Sequence, residues 1–453
     1  MSERADVVVI GMGPGGEEAA GRLAEAGLDV IAVEKQLVGG ECPYWGCIPS
    51  KMMIRAANLL AEARRIPGMA GEATVTADWA PVARRIRDEA TDDWDDTVAV
   101  ERFTGKGGRL MRGEGKLAGP GTVVVGDVSI EVGRAVILNT GTTPAVPPVK
   151  GLAGLPYWTN RGAIEAAELP SSLLVLGGGA IGAELSQVFA RFGVRVTIIE
   201  SAERLLPPEE PEAGALAARI FEREKIDVRL GADATSVSHD GRQFTVQLED
   251  GSEIQGEKLL VATGRRAALG ALGLESIGLD PSARWLTVDE NVRAAPGVWA
   301  VGDITGVGAF THVSMYQARI AVPDILGRPH PPADYRAMPR VTFTDPEIGS
   351  VGLSEAAGRE RGLNVRTALA DLPKSARGWI HKVGNEGFIK LVEDADRGVL
   401  VGATSAGPVG GEVLGLLALA VHAEVPTARL RTMLYAYPTF HRAIEDALQR
   451  LGD

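Results

Sequence analysis

Cysteine, histidine and long apolar runs are all scarce in this sequence of 453 residues. It has two cysteines and six unclustered histidines, which excludes a secreted disulfide framework and predicts no metal site. No apolar run approaches the roughly 20 residues needed to span a bilayer. The N-terminus goes directly into a predicted strand and lacks the apolar segment of a signal peptide. We therefore expect a cytoplasmic protein without a membrane partner.

Basic side chains are outnumbered by acidic ones. The formal net charge of −12 at pH 7 argues against nucleic acid or an acidic membrane surface as a partner. Hydrophobic residues make up 45% of the chain and charged residues 23%, as in ordinary globular proteins. The length predicts two to four domains.

The two cysteines, Cys42 and Cys47, lie in one stretch, Gly39–Lys51. Their spacing allows a small ring to close, and such pairs exchange electrons between dithiol and disulfide forms. The residues from Ile48 to Arg65 are predicted to form a helix, and a helix N-terminus lowers the pKa of a thiol. On the cysteines alone, a structural disulfide and two inert core thiols stay open as alternatives.

A dinucleotide-binding signature opens the chain. The buried-strand pattern Val7–Ile10 enters Gly11–Gly16, which reads G-x-G-x-x-G, and an alanine-rich helix follows. The next predicted strand ends at Glu34, about 20 residues beyond the first glycine, where a carboxylate accepts hydrogen bonds from ribose hydroxyls. This is a complete βαβ beginning, and it predicts a dinucleotide site with the pyrophosphate at the helix N-terminus.

The same signature recurs later. The strand pattern Leu173–Leu176 enters Gly177–Gly182, a second G-x-G-x-x-G, and the following strand closes at Glu200. Two such sites predict two dinucleotides. Glu200 suits the free 2′-hydroxyl of NADH and would repel a 2′-phosphate, whereas the nearby Arg204 leaves NADPH open.

Four other stretches carry weaker predictions. Gly71–Phe103 is predicted to be helical, and its run of Asp92, Asp93, Asp95 and Asp96 is predicted to form a solvated face. The buried strand Val298–Val301 ends in Asp303, where a carboxylate commonly faces a ligand. Thr311–Ile325 is predicted to be a helix. From Tyr335 onward, strands mix with helices as in an α+β domain, and the last predicted helix runs from Thr439 to Leu451.

With these stretches and Phe343–Ile348, the chain closely resembles the pyridine nucleotide-disulfide oxidoreductases over essentially its whole length. The run Gly46–Lys51 is the most specific part of the resemblance. The resemblance implies an α/β fold with two Rossmann-like dinucleotide-binding domains, for FAD and NAD(P), and a C-terminal α+β dimerisation domain in a homodimer. The implied boundaries are residues 1–149 and 270–334 for the FAD domain, 150–269 for the NAD(P) domain and 335–453 for the dimerisation domain.

The resemblance also implies roles for individual residues. Hydride passes from the nicotinamide to FAD, Cys47 makes a charge-transfer contact with the flavin, and Cys42 attacks the substrate. Lys51 lies near flavin N5 and pairs with Glu184. FAD is expected on Gly11, Gly13, Gly16, Glu34 and Asp303; the nicotinamide cofactor on Gly177, Gly179, Gly182 and Glu200; and further cofactor contacts at Gly15, Gly40, Gly141, Ile181, Gly264 and Gly302.

The sequence departs from the family pattern in two places. Tyr437 stands where the family usually has a histidine base, and arginine stands where its glutamate would be. Tyrosine is a weak base near neutral pH because its ordinary pKa is about 10, so His441, with Glu445 one predicted helical turn later, is an alternative base. Pro43–Trp45 is bulkier than usual between the cysteines and is predicted either to pack against neighbouring helices or to narrow access to the thiols.

We therefore predict an NAD(P)H-dependent FAD enzyme that reduces a small disulfide or a similar acceptor through Cys42 and Cys47. A quinone or dye reductase that uses the flavin directly is the first alternative, because the usual histidine is missing. Dihydrolipoamide dehydrogenase is the second. A flavin-bound redox sensor without turnover is the third, and the absence of a C-terminal cysteine pair argues against mercuric reductase.

Overall fold

The computed structural model describes residues 2–451, and these form two compact units. The first contains the chain up to Ser50, Arg84–Ala145 and Gly264–Asp334; the second contains Lys51–Ala83, Val146–Thr263 and the chain from Tyr335 onward. The domain boundaries implied by the resemblance stay a prediction.

An eight-stranded sheet organises the first unit, and its central strand is Ser2–Ile10. Parallel partners flank this strand on both sides. The strands are β1 (Ser2–Ile10), β2 (Val30–Glu34), β3 (Arg109–Arg112), β4 (Gly115–Leu117), β5 (Thr122–Val125), β6 (Val128–Leu138), β16 (Arg293–Ala295) and β17 (Val298–Ala300), in the order β16-β17-β6-β1-β2-β3, with β5 paired antiparallel to β6 and β4 to β5. A separate short ladder joins β7 (Thr143–Pro144) to β15 (Arg265–Arg266).

Both faces of β1 are covered, which explains its continuous apolar run. Val7 and Val9 pack with residues of the helices α1 (Pro14–Glu25) and α9 (Thr311–Ile325). Val8 and Ile10 point to the opposite face and pack against a separate cluster that includes Leu269. The predicted helix Thr311–Ile325 is confirmed.

The prediction of helix over Gly71–Phe103 is confirmed only in part, since residues 71–79 and 91–96 are not helical. Helix forms only at α4 (Ala80–Arg85), in a π-helical turn at Ile86–Ala90 and at α5 (Thr97–Thr104). The aspartates are not all solvated either. Asp96 is buried, accepts a hydrogen bond from the Val38 N–H at 2.6 Å and pairs with Arg112 at 2.6 Å, so it serves to anchor the loop after β2.

The strands of the second unit form three sheets. A parallel sheet of β8 (Ser172–Leu176), β9 (Arg195–Glu200), β10 (Asp227–Leu230) and β14 (Lys258–Val261) has the order β10-β9-β8-β14. An antiparallel sheet of β11 (Ala234–His239), β12 (Phe244–Leu248) and β13 (Glu253–Gly256) was not predicted. The third is antiparallel in the order β18-β19-β22-β21-β20, built from β18 (Pro339–Thr342), β19 (Glu347–Gly352), β20 (Val365–Asp371), β21 (Phe388–Asp394) and β22 (Val399–Gly407).

The remaining helices begin and end as follows. Residues Cys47–Arg64 form α3, which starts at the second cysteine and continues past Ser50. The others are α2 (Glu41–Trp45), α6 (Asn160–Ile164), α7 (Ala180–Arg191), α8 (Pro211–Arg223), α10 (Glu355–Glu360), α11 (Ala376–His381), α12 (Gly410–His422), α13 (Thr427–Arg431) and α14 (Ala443–Arg450), with 3₁₀ turns at Leu269–Ala271, Leu274–Ile277, Asp303–Thr305 and Leu372–Lys374. None of the helices between residues 2 and 451 has both the length and the apolar character needed to cross a bilayer.

Candidate active site

The cysteines come together where two helices meet. The backbone turns at Gly39 and Gly40, which have φ of 111° and 68°, and Cys42 then lies in α2 while Cys47 begins α3. Cys42 is half-buried and Cys47 is exposed. A hydrogen bond with the Cys47 thiol and burial both raise the pKa of Cys42, and the Cys47 sulfur lies 3.5 Å from the Thr311 hydroxyl. The two thiols are therefore close enough to interact directly.

The aromatic residues between the cysteines have a packing role. Tyr44 is buried and donates a hydrogen bond to the Val38 carbonyl at 3.2 Å. Burial raises the pKa of Tyr44 to about 12, so its hydroxyl is held protonated. The Tyr44 and Trp45 ring centroids lie 5.8 Å apart. The two predicted alternatives were packing against neighbours and narrowing of the access to the thiols, and the buried Tyr44 has a packing role.

The first glycine loop is assembled on Asn139, a residue that the sequence reasoning did not single out. Gly11 adopts φ of 93°, and a Cβ there would come within 2.4 Å of the Asn139 carbonyl oxygen. The Gly16 N–H donates to Asn139 Oδ1 at 2.8 Å, and Asn139 Nδ2 donates to the Val301 carbonyl at 2.7 Å. The buried amide thus ties the loop to the ends of two strands.

The second glycine loop repeats this geometry in the other unit. Gly177 adopts φ of 106°, and its Cβ would meet the Ala262 carbonyl oxygen at 2.5 Å. Gly182 corresponds to Gly16, since a Cβ at either position would come within 2.0 Å of the carbonyl oxygen of the first glycine in its loop. These glycines are therefore required by close approach of backbone to backbone.

The predicted ribose-binding carboxylates, Glu34 and Glu200, are buried to the same degree. In each, one oxygen accepts a hydrogen bond from the glycine loop, and the other accepts one from the second residue after the glutamate. The donors are the backbone N–H groups of Met12 at 2.7 Å and Gln36 at 2.7 Å for Glu34, and of Gly178 at 2.6 Å and Ala202 at 2.8 Å for Glu200. The Ser201 hydroxyl also donates to Glu200 Oε1 at 3.4 Å, but the oxygen that accepts from the glycine loop keeps a further lone pair in each carboxylate, which a ribose hydroxyl can use.

Both loops fit a dinucleotide. Gly13 and Gly179 stand in front of α1 and α7 in nearly identical extended conformations, and neither helix is capped by a side chain. A Cβ on Gly179 would meet no heavy atom within 4 Å. An uncapped helix N-terminus accommodates a pyrophosphate, and this holds for both loops. The first loop is tighter, because a Cβ on Gly13 would lie 3.1 Å from Asn139 Oδ1.

Asp303 lies in a hydrogen-bonded network in the first unit. Burial raises the pKa of its carboxyl, and the Thr142 hydroxyl donates to it at 2.8 Å. Arg265 in turn donates to the Thr142 hydroxyl at 2.8 Å and lies 3.7 Å from Glu41, the neighbour of the first cysteine. Thr142 and Arg265 are site neighbours that the sequence reasoning missed, and no motif marked them.

Lys51 and Glu184 form an ion pair in the second unit, as the resemblance implies. Lys51 Nζ donates to Glu184 Oε2 at 2.8 Å, and the Glu184 side chain is only 8% exposed. The Phe343 N–H donates to the other carboxylate oxygen at 2.8 Å.

The C-terminal residues differ from the expected helix. Helix α14 begins at Ala443 and not at Thr439, so His441 precedes it. Glu445, the predicted partner of His441, pairs with Arg442 at 3.2 Å, and His441 Nε2 lies 3.4 Å from the Thr439 hydroxyl. Tyr437 is 70% exposed, with the Arg442 guanidinium 5.4 Å from its ring centroid. The choice between Tyr437 and His441 as the base stays a prediction.

Comparison with known proteins gives a consistent result along the chain. Residues 5–318 match the profile of the pyridine nucleotide-disulphide oxidoreductases, and residues 338–448 match the dimerisation domain of that family. Dihydrolipoyl dehydrogenases from Chlorobaculum tepidum and Halobacterium salinarum are each 35% identical to this chain. Each match spans 99% of this chain, and it covers 98% of the first protein and 96% of the second.

Two solved structures are similar over almost the full length. The Cu(II) complex of the flavoprotein disulfide reductase RclA from Escherichia coli is 26% identical, with a TM-score of 0.87 and 99% of both chains covered. LpdA from Mycobacterium tuberculosis is 27% identical, with a TM-score of 0.86 and the same coverage.

Proposed function

The chain belongs to the pyridine nucleotide-disulphide oxidoreductases, and from this membership we propose that it uses NADH to reduce a small disulfide through FAD and the Cys42–Cys47 pair. The predicted family, fold class and enzyme class are confirmed. One observation carries the finer proposal: the only two cysteines of the chain lie next to each other, Cys42 in α2 and Cys47 at the first residue of α3, with their thiols close enough to interact. This is the arrangement that a pair alternating between dithiol and disulfide requires.

The proposed net reaction balances in electrons and protons. NADH gives up a hydride, the acceptor's S–S bond breaks, and one proton from solvent completes two thiols. FAD, when bound, supplies the carrier that takes a hydride from the nicotinamide and passes an electron pair to a disulfide. In this chain, exposed Cys47 and half-buried Cys42 are assigned to the flavin contact and to attack on the acceptor, respectively.

The cofactors are assigned to the two glycine loops. FAD would be held by the loop from Gly11 to Gly16, Glu34 and Asp303, and the nicotinamide cofactor by the loop from Gly177 to Gly182 and Glu200. Lys51 and Glu184 would place a positive charge beside the flavin ring. Such a charge favours the electron-rich reduced flavin.

NADH is the proposed nicotinamide because of how Glu200 is held. Two backbone N–H groups fix its carboxylate, so a 2′-phosphate at this position would meet a negative charge that cannot turn away. Arg204 is turned in part to other groups, since its Nη2 donates to the carbonyls of Pro207 and Glu209 at 2.7 and 3.3 Å.

A homodimer is the proposed assembly, because residues 338–448 match a dimerisation domain. The exposed Tyr437, or His441 beside it, would then occupy the place of the family's usual histidine base. A phenol is a poorer proton acceptor than an imidazole near neutral pH, so a tyrosine there would make disulfide exchange slow.

Anaerobic titration with NADH and with NADPH tests the proposal. Wild-type protein should take up four electrons per FAD and show a long-wavelength charge-transfer band at the two-electron stage, with NADH acting faster. Cys47→Ser should lose that band, and both Cys47→Ser and Cys42→Ser should take up only two electrons. Because the chain has no other cysteine, thiol counting after reduction reports on this pair alone. Equal electron uptake by wild type and both variants would remove the disulfide from the reaction.

Other acceptors are distinguished by the same variants. The replaced histidine favours a quinone or dye reductase as the second candidate, and quinone reduction that survives in Cys42→Ser would support it. Dihydrolipoamide is tested because the curated relatives are dihydrolipoyl dehydrogenases. Cu(II) is tested because RclA was crystallised as a Cu(II) complex.

A further inference from the structure

Phe343 contacts both members of the Lys51–Glu184 ion pair. Its backbone N–H donates to Glu184 Oε1 at 2.8 Å, while Lys51 Nζ occupies the other oxygen at 2.8 Å. The same ammonium lies 4.6 Å from the centroid of the Phe343 ring, inside the range of a cation–π interaction. One residue therefore binds the anion through its backbone and the cation through its side chain.

Helix α7 fixes the position of the segment that carries Phe343. Gln187 accepts from the Asp345 N–H at 2.7 Å and donates to the Asp345 carbonyl at 2.9 Å. Arg191, one turn further along, binds the Asp345 carboxylate at 2.8 Å. Together with Glu184, three successive turns of α7 bind Phe343 and Asp345, so the backbone that carries the Phe343 ring is held independently of Lys51.

The Lys51 side chain is more exposed than that of its ion-pair partner Glu184. It is 35% exposed, and a lysine ammonium is a strongly hydrated charge on a flexible stem. A bond to a single carboxylate oxygen still allows the Lys51 side chain to adopt several rotamers. A fixed aromatic face on one side restricts them and excludes water there.

We propose that Phe343 is a positioning residue that holds the Lys51 ammonium in place for reduction of the flavin, its ring orienting the cation and its N–H orienting Glu184. The inference rests on the proposed function, in which Lys51 acts beside the flavin. Loss of the ring leaves the ammonium mobile and more hydrated, so it stabilises the reduced flavin less.

The test compares Phe343→Leu with Phe343→Tyr, each in the wild-type and the Lys51→Met background. Phe343→Leu retains the N–H and should slow flavin reduction by NADH about two- to fivefold, equivalent to roughly 0.5–1 kcal/mol. The midpoint potential of the bound flavin should become more negative, whereas KM for NADH should not change. Phe343→Tyr retains the ring, so the reduction rate and the midpoint potential should both stay close to their wild-type values.

A double-mutant cycle separates positioning from packing. In the Lys51→Met background, Phe343→Leu should change neither the rate nor the potential, because no cation remains to be held. Trp379→Leu is the matched control: it removes another lysine–aromatic contact, Lys382 over Trp379 at 5.0 Å, and should leave flavin reduction within twofold. Thermal unfolding of each holoprotein reports any loss of folded protein.

Two failures can be told apart. If Lys51→Met alone leaves the potential and the rate unchanged, the assigned role of Lys51 in the proposed function is wrong. If Lys51→Met has its effect but Phe343→Leu does not, or if Phe343→Leu acts equally in both backgrounds, the positioning role of Phe343 is overturned.

Discussion

Replacing Asn139 by leucine should destabilise the first glycine loop more than any single change in the loop's exposed surroundings. The Asn139 side chain is buried at 6% exposure and makes three hydrogen bonds. It accepts from the Gly16 N–H, and it donates to the Val301 carbonyl and to the Ser314 hydroxyl, the last at 3.2 Å. Leucine has nearly the same shape and can make none of them.

The expected cost follows from the groups left without partners. A buried polar group that loses its partner costs about 1–3 kcal/mol. The Gly16 N–H and the Val301 carbonyl are both backbone groups that cannot turn to solvent, whereas the Ser314 hydroxyl can rotate. Two such groups give roughly 2–6 kcal/mol, a large part of the roughly 5–15 kcal/mol that stabilises a domain.

Urea unfolding at fixed protomer concentration, followed by circular dichroism and by flavin fluorescence, measures this cost. Ser314→Ala is the control and should lose less than about 1 kcal/mol, since it removes only the longest of the three bonds. Flavin release should move to lower urea in Asn139→Leu. A stability within 1 kcal/mol of wild type, with FAD retained, would refute the view that Asn139 supports the loop.

Two further predictions concern buried charges. Burial raises the pKa of the Asp303 carboxyl in the folded state. The folded protein therefore binds this proton more tightly than the unfolded chain does, and the resulting stabilisation is complete below the unfolded pKa of about 3.9. It is lost as the pH rises through the folded-state pKa. Asp303→Asn should therefore make the flavin-stripped protein more stable at pH 7 but not near pH 4 in urea unfolding; equal stability at pH 7 would contradict this. The Arg191 side chain is 2% exposed and binds the carboxylates of Glu224 and Asp345 at 2.6 and 2.8 Å, so Arg191→Leu should cost about 3 kcal/mol. Arg223→Leu, which breaks a largely exposed pair with Glu386, should cost less than about 1 kcal/mol in the same denaturation assay.

The structure around the two glycine motifs could be predicted from the local sequence pattern. Each strand, turn and helix around Gly11 and Gly177 was predicted, because a buried parallel strand and a close-packed helix restrict residue types over a short span. The positive φ at both glycines and their contacts with a neighbouring strand follow the prediction. The carboxylates at Glu34 and Glu200 were equally visible, since their place is set by distance along one βαβ unit.

The aspartate run and the C-terminal tail show where pattern failed. Asp92–Asp96 has the composition of a solvated face, yet Asp96 is buried because β2's following loop and Arg112 approach it from distant parts of the chain. The tail was predicted as one helix from Thr439, but α14 starts at Ala443. Helix ends are weakly specified by local sequence, since caps and packing determine them.

The role of Asn139 in supporting the first glycine loop could in principle have been predicted from the sequence. This residue ends a buried strand in the run Ile137-Leu138-Asn139-Thr140-Gly141, where the second motif has Val261-Ala262-Thr263-Gly264. A polar residue in one copy and alanine in the other indicates that one loop needs an extra acceptor. Thr142 and Arg265 left no such signal, because each acts on residues far away in sequence.

By itself the sequence determined the family, the two nucleotide-binding motifs and the spacing of the redox cysteines, because each depends on residues close together along the chain. Only the tertiary structure decided which side chains support those motifs: Asn139 beneath the first loop, Thr142 on Asp303, and Phe343 on the Lys51–Glu184 pair. Hydrogen bonds and ring contacts of this kind join segments more than a hundred residues apart, and no local periodicity records them.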